Sequence, residues 1–456
     1  MYIKDTIAAI STPLGEGGIA VIRVSGGRAG NIGEKLFRRK PDGGFESHRF
    51  YYGAIVDPDN GEAVDEVMVV FMKSPRSFTR EDVFEIQCHG GCLLAQRVLG
   101  IVLRYGARLA RPGEFTKRAF LNGRIDLVQA EAVIDVIRGK TEAALSLAQN
   151  QREGILSREI GRIRDDILHA LTMVEAYIDF PEEEIETDAS MEMIKAVSEA
   201  LARIKALLDD YEEGRSLREG VSVLIAGKPN VGKSSLLNAL LKEKRAIVNH
   251  LPGTTRDVIE EIINIKGLPV KILDTAGICE TDDAIEKEGV ELAIGKIGRS
   301  DLVLFVLDSS RAFDENDLRT ERELEGRTYI AVLNKSDLPG KIAMPESFSA
   351  SRTLRISAKS GEGIEQLLQA IHDHFLRGKA VDSRGYVALS NVRQRDALVK
   401  CADAMKRFAE NESEGMLMEM LAVDLRDALH ALGELTGETL RGEVLERIFE
   451  RFCIGK

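Results

Sequence analysis

Hydrophobic positions change their period along this chain, and the changes divide it. Over residues 1–120 they come in short runs, at 6–10, 19–24, 50–56 and 67–72, cut by Gly-Gly, Pro-Asp-Asn-Gly and Ser-Pro turn signals. Between Cys92 and Tyr105, Leu93, Leu94, Val98, Ile101 and Val102 recur at helical spacing. An α+β domain with its own core is expected there. Over residues 121–215 the period becomes helical, as in Ile155, Ile160, Ile163, Ile167, Leu171 and Val174 with charges between them. Long amphipathic helices follow from that spacing, and the acidic run 182–186 after Pro181 reads as a helix start or a solvated loop. Residues 216–378 alternate strand-like and helical runs. Residues 379–456 return to helical spacing, with Leu398, Cys401, Ala402, Met405, then Leu421, Leu425, Ala428 and Leu432. The expected fold is multidomain, α/β and α+β: an N-terminal α+β domain and a long-helix domain interrupted by an inserted P-loop, Ras-like module.

The inserted module carries the chemistry. An apolar run from Val221 to Ala226 leads into Gly227 and Gly232, which flank four residues, then Lys233 and Ser234, and a helical start follows. Glycines at that spacing let backbone N–H groups curl around a phosphate, with the helix N-terminus adding partial positive charge. Lys233 then reaches the terminal phosphates and the Ser234 hydroxyl sits on Mg²⁺. Downstream, Asp274-Thr275-Ala276-Gly277 closes an apolar run, so the aspartate can meet Mg²⁺ through water and Gly277 the γ-phosphate. Asn334-Lys335-Ser336-Asp337 follows the run 329–333, and a carboxylate there can accept from N1–H and the 2-amino group of guanine. Ser357-Ala358-Lys359 would set a backbone N–H against the guanine O6. Four such elements in register point to GTP rather than ATP, because a site built around hydrogen-bonded groups rejects analogues lacking them.

Composition narrows the remainder. With 456 residues, 44% of them hydrophobic, the chain can build about three domains. Its opening, MYIKDTIAAI, has no basic stretch feeding an apolar one, and no span approaches ~18 apolar residues, so a soluble cytoplasmic protein without membrane contact is expected. Five scattered cysteines suit reduced thiols. Cys88, His89 and Cys92 could begin a metal site, but no second pair answers them, which favours a strand-to-helix turn through Gly90 and Gly91. Cys453 reads as packed rather than reactive, with no neighbouring base to lower its pKa. A net charge of −12 argues against a whole-surface grip on nucleic acid. The basic stretch 104–124 is either a solvated face or a surface for a polyanion.

The segments DTIAAISTPLGEGGIAVIRVSG, FTREDVFEIQCHGG and RPGEFTKRAFLNGRIDLVQAEA, together with the nucleotide elements and the closing CIGK, resemble the tRNA modification GTPase family MnmE, also called TrmE. The resemblance spans all regions of the chain. It implies a tetrahydrofolate-binding and dimerisation domain over 1–120, a helical domain split between 121–215 and 379–456, and a G domain over 216–378. It further implies a homodimer that joins a flavoprotein, MnmG (GidA), in a heterotetramer. Together they add a carboxymethylaminomethyl-type group to C5 of the wobble uridine of certain tRNAs, drawing on a reduced folate, 5,10-methylene- or 5-formyl-tetrahydrofolate.

Residue by residue, the family's GTP contacts fall on Asn230, Val231, Gly232, Lys233, Ser234 and Ser235. They continue through Asn249, His250, Leu251, Pro252, Gly253, Thr254 and Thr255, then Asp274 to Gly277, Asn334, Lys335, Asp337, Ser357, Ala358 and Lys359. Ile278 stands where Ras-type switches place a water-positioning glutamine. The resemblance fills that gap with K⁺, held by Asn230, Asn249, Leu251 and Thr254 when two G domains meet, and with Glu286 orienting the water. Thr255 joins Ser234 on Mg²⁺. Folate contacts fall on Arg23, Glu85, Arg124 and Lys456, Arg124 standing where other members can carry lysine. Two other classes share parts of this pattern. A ribosome-assembly GTPase of the Era or Der type would bring a basic RNA-binding domain, and a mechanochemical GTPase would bring membrane-binding segments. Neither feature is evident.

Overall fold

Two sheets, each within its own unit, follow from the two kinds of strand run. The computed structural model describes residues 5–41, 43–180, 187–243, 262–274, 300–345, 348–377, 386–440 and 442–456. One unit is assembled from residues 1–134, 157–183 and 410–456, the other from 135–156 and 184–409.

The first unit holds a seven-stranded sheet in the order β3-β4-β5-β6-β2-β1-β7. Its strands are β1 (Ile7–Ile10), β2 (Ile19–Ser25), β3 (Phe37–Arg38), β4 (Phe50–Asp57), β5 (Glu62–Met72), β6 (Val83–His89) and β7 (Arg108–Leu109). All neighbours are antiparallel except β1 and β7. Alternation along β2 and β6 turns Ile22, Val24, Phe84 and Ile86 to one face. There they pack against Ile32 and Leu36 of helix Ala29–Leu36 and Val98 and Ile101 of helix Cys92–Arg104. Gly33 is required in that contact, since a Cβ would lie 2.5 Å from the Phe84 ring. Arg23 and Glu85 alternate to the opposite face as direct cross-strand partners. On the strand neighbouring β2, Ile7 and Ala9 meet Phe78, Ala110 and Phe115. The segment Cys88 to Cys92 is the expected turn, β6 ending at His89 and the helix starting at Cys92, with Cys88 buried. Among the described residues, no cluster of three or more His, Cys, Asp or Glu could hold a metal.

The C-terminal segment completes this unit. Phe449 and Phe452, at and after helix Gly442–Phe449, pack with Leu127, Ala130 and Ile134. The Gly113 N–H donates to the Cys453 carbonyl, and Gly455 sits against the end of β1, where a Cβ would lie 2.4 Å from the Ile10 carbonyl oxygen. Cys453 itself is exposed. The packed reading of its side chain is therefore corrected: the two phenylalanines supply the packing, and only the cysteine's backbone is engaged.

The second unit holds a six-stranded sheet in the order β13-β12-β11-β8-β10-β9. Its strands are β8 (Val221–Ala226), β9 (Ile262–Ile265), β10 (Leu268–Asp274), β11 (Leu302–Asp308), β12 (Tyr329–Asn334) and β13 (Arg352–Arg355). It is parallel except for β9. Every residue of β11 and β12 is buried, as expected of strands covered on both faces. One face packs on Leu236 and Leu240 of helix Lys233–Glu243 and Leu367 and Ile371 of helix Ile364–Leu376. Phe305, Tyr329 and Leu324 fill the other. Ala143 and Leu147 of helix Glu142–Arg152 and Leu217 of helix Tyr211–Glu219 join the first of these cores.

The expected long helices are Ile155–Asp179, Thr187–Asp209, Val392–Ser413 and Met418–Thr436. The acidic run 182–186 lies outside the described residues. Among those described, no helix is long and apolar enough to cross a membrane.

Candidate functional site: a phosphate cradle and a base-binding loop pair

In an open parallel sheet, ligands sit beyond the carboxyl ends of the strands, where the winding reverses direction. Here the first strand of the module, β8, lies between β10 and β11, and the loop after it runs from Gly227 to Lys233. Gly227 and Gly232 have φ of 142° and 102°, a region that side chains disfavour. Both are also hemmed in: a Cβ on Gly227 would lie 2.4 Å from the Val306 carbonyl oxygen, and one on Gly232 would lie 2.3 Å from Asn334 Nδ2. Glycine is thus forced by conformation and space together. The helix Lys233–Glu243 starts at once, aiming its positive end into the loop.

The lysine of the loop is drawn inward. Lys233 Nζ donates to the carbonyls of Gly227 and Lys228, each at 2.8 Å. Lys228 is held from the other side, its ammonium 2.7 Å from Asp314 and 2.8 Å from Asp317 at the start of helix Glu315–Glu323. Burial alone would lower the Lys228 pKa, but those two carboxylates raise it. The charge therefore stays on the lysine and the loop stays pinned.

Three loops are stitched together by Asn334. Its Nδ2 donates to the Val231 carbonyl at 2.9 Å, and its Oδ1 accepts from the Ala358 N–H at 3.0 Å. This residue is 2% exposed, so both bonds are shielded from water. Lys335, at φ 64°, donates to the Asn230 carbonyl at 2.9 Å and to Asp308 at 2.6 Å. Burial would push the Asp308 carboxyl up, yet the Lys335 ammonium and the Ser310 hydroxyl hold it below the usual carboxylate range. Asp337 is exposed at the mouth, its Oδ1 accepting from the buried Ser357 hydroxyl at 2.7 Å. That bond fixes the carboxylate while leaving its second oxygen available to a base. Lys359 is exposed alongside it.

Sequence reasoning missed Asp308, Lys228 and the Asp314–Asp317 pair. The signal for Asp308 is the one that marks Asp274 and Asn334: a polar residue ending an apolar strand, here in register with Asn334.

Oxygen donors at the loop suit Mg²⁺. The Ser234 hydroxyl is exposed in the first turn of the helix, and Asp274 ends β10 in register with Ile225 of β8. Asn230, the described member of the expected K⁺ set, is exposed at φ 67°. Residues 244–261 and 275–299 lie outside the described residues. They include Asn249 to Thr255, Thr275, Ala276, Gly277 and Glu286.

Three of the four expected folate residues are linked in the first unit, and the backbone next to the fourth, Lys456, reaches them. Arg23 Nε donates to Glu85 Oε1 at 2.7 Å, both side chains being largely buried. A second nitrogen of Arg23 lies 3.5 Å from the Gly455 carbonyl, next to Lys456, and that carbonyl also accepts from Ser11 at 3.1 Å. The Arg23 guanidinium is 5.7 Å from the Phe78 ring centre and that of Arg124 is 4.9 Å from it, with Arg124 also donating to the Phe78 carbonyl at 2.7 Å. Phe78 is the hub. Arg23 and Glu85, both expected as folate contacts, form an ion pair that uses one oxygen of the carboxylate.

The basic stretch 104–124 resolves mostly into internal pairs. Arg104 meets Asp57 and Asp59, Arg108 meets Asp5 and Glu114, and Lys117 meets Glu446. Arg118, 2% exposed, meets Asp5, Glu81 and Glu114. The polyanion-facing reading fails for these four, because their charge is already neutralised.

Comparison with known proteins settles the lineage. A family model described as "GTP-binding protein TrmE N-terminus" matches residues 6–124, and one described as "MnmE helical domain" matches residues 127–453. The chain belongs to the MnmE (TrmE) family of tRNA modification GTPases. The protein named tRNA modification GTPase MnmE in Geobacter metallireducens is 58% identical over the full length of both chains, and that of Geobacter sulfurreducens is 56% identical over the same extent. Among solved structures, a variant of Aquifex aeolicus Era bound to GDP.AlF4⁻ is 27% identical over 41% of this chain and 67% of that one. Its TM-score to this chain is 0.28. This MnmE-family chain is a GTPase, and full-length membership removes the Era or Der alternative.

Proposed function

We propose that this protein hydrolyses GTP to drive a tRNA-modifying complex. With a flavoprotein partner of the MnmG type, it adds a carboxymethylaminomethyl-type group to C5 of the wobble uridine. The observation that carries the reading is the pairing of full-length identity to named tRNA modification GTPases with a loop set fit for a guanine nucleotide. Gly227 to Ser234 would cradle the phosphates, Lys233 would turn from the loop carbonyls to the terminal phosphates, and Asp337 would read N1–H and the 2-amino group of guanine. Ser234, with Thr255, would hold Mg²⁺, which when bound spreads the negative charge of the β- and γ-phosphates. Asn230, with Asn249, Leu251 and Thr254, would hold K⁺ as two G domains of a homodimer meet. Glu286 would orient the attacking water in place of the absent glutamine. The domain limits 1–120, 121–215, 216–378 and 379–456, a cytoplasmic location and a heterotetramer belong to the same reading.

The grouping of Arg23 and Arg124 on Phe78, with Glu85 paired to Arg23 and the Gly455 carbonyl next to Lys456 beside that arginine, supports a reduced folate in the first unit. Glu85 would accept from pterin N–H groups through its second oxygen while Arg23 holds the first, and Phe78 offers a ring face to the pterin or the benzoyl group.

Nucleoside analysis of tRNA from a strain lacking the protein tests the first claim: wobble uridines should lose the C5 substituent, and unchanged nucleosides would reduce the protein to a GTPase of other purpose. Hydrolysis rates in K⁺ and Na⁺ test the second. Equal rates would remove the cation from the reading.

A further inference from the structure

The first unit carries a second basic feature that the four-residue folate set does not use. A cavity of about 500 Å³ is lined by His48, Met72, Pro75, Arg76, Ser77, Phe78, Arg80 and Arg124. Three arginines face this space and none of the lining residues is a carboxylate. Among the described residues, no acid pairs with any of the three: Arg80 donates to the Asn122 carbonyl and Arg124 to the Phe78 carbonyl, while Arg76 is exposed. Their situation contrasts with the neighbouring 104–118 stretch, where each of Arg104, Arg108, Lys117 and Arg118 has an acid partner. Arg124 is strained electrostatically as well, burial first and then the nearby Arg80 charge lowering its pKa. Arg80 is held at φ 58°, a left-handed conformation uncommon outside glycine and asparagine. Uncompensated guanidinium groups on a shared cavity are what an oligo-carboxylate ligand needs.

We infer that this cavity is the subsite for the γ-linked glutamate tail of a folate, so that the protein's preferred ligand is a folate bearing several glutamates. The inference rests on the folate reading above and adds to it a substrate class. Phe78 and Arg124 form the wall shared with the Arg23–Glu85 pair, so a ligand whose ring contacts Phe78 would send its other end toward Arg76 and Arg80. Each added glutamate brings one more carboxylate. A single-glutamate ligand would reach Arg124; the outer carboxylates of a longer tail would meet Arg80 and Arg76.

The test is titration calorimetry on the full chain with 5-formyltetrahydrofolate in two forms, monoglutamate and triglutamate. Partly exposed guanidinium–carboxylate pairs contribute ~0.2 to 1 kcal/mol each, so two added pairs should make the triglutamate roughly 2- to 30-fold tighter, a ratio that shrinks at high salt. The variants Arg76→Glu and Arg80→Asn, the second preserving the left-handed backbone, should bring the ratio close to one and leave the monoglutamate affinity within about twofold. A wild-type ratio of one, or a ratio unmoved in both variants, overturns the tail subsite while leaving the folate reading intact. Failure of the wild type to bind either form overturns both.

Discussion

Gly232 and Asn334 lie about a hundred residues apart, yet the phosphate loop should register a change at one as a change at both. Replacing Gly232 with alanine places a Cβ 2.3 Å from Asn334 Nδ2 and leaves a non-glycine residue at φ 102°. Backbone strain of this kind costs ~1–3 kcal/mol. Displacing the Asn334 amide would break its buried bonds to Val231 and Ala358, leaving polar groups orphaned at ~1–3 kcal/mol more. Gly232→Ala should therefore cost ~2–6 kcal/mol, and Asn334→Ala ~1–3 kcal/mol from the lost bonds alone. In the double variant the clash has no partner and the bonds are already gone, so only the strain is added. The cost should fall short of the sum by at least ~1 kcal/mol, beyond the ~0.5 kcal/mol within which independent sites add. Titrating a fluorescent GDP analogue into the four proteins gives the cycle, with amide hydrogen exchange of β8 and β12 as the stability readout. Additivity in both readouts would refute the claim that Asn334 is the stitch between the loops.

Other consequences are direct. Arg118→Ala should destabilise the first unit by ~3–5 kcal/mol, because Asp5, Glu81 and Glu114 lose a buried partner; thermal unfolding followed by hydrogen exchange in β1 and β6 checks this. Asp308 has a folded pKa below its unfolded one, so its contribution is complete above the unfolded value of ~3.9 and fades as pH falls through the lower folded value. Asp308→Asn should remove that component of the acid-range stability profile and weaken nucleotide binding by freeing Lys335, which a pH series of GDP titrations would read. Asp337→Asn should shift preference from GTP toward xanthosine triphosphate, measured by competition; an unchanged preference would displace the base-reading assignment. Glu85→Ala should abolish folate binding and release Arg23, seen as loss of heat in calorimetry.

What the sequence made legible was periodicity and spacing. The strands at 221–226 and 329–334 and the helix after Lys233 follow from apolar runs bounded by glycine or polar punctuation. The cross-chain pairings do not. Nothing in spacing says that Arg23 faces Glu85, since that depends on the antiparallel register of β2 with β6. Likewise the 104–124 stretch looks basic in one dimension because its acids, Asp5, Asp57 and Glu446, come from distant segments. The arginine-lined cavity was hidden for the converse reason: Arg76, Arg80 and Arg124 are too scattered to form a charge run, and the fold brings them together.

The contact between Ser11 and the Gly455 carbonyl joins residues 444 positions apart. At ~5–20 residues per second on the ribosome, the first strands wait roughly 20 to 90 s for that partner, during which all of the nucleotide module is made. The second unit, with its segments spanning 135–156 and 184–409, has its whole sequence available sooner. The unit whose synthesis begins first is therefore the one whose sequence is completed last. The strand pair carrying Arg23 and Glu85 emerges early, but the Gly455 carbonyl that meets Arg23 is made last, so any arrest of translation within the last few dozen codons should yield a chain able to bind GDP and unable to bind folate.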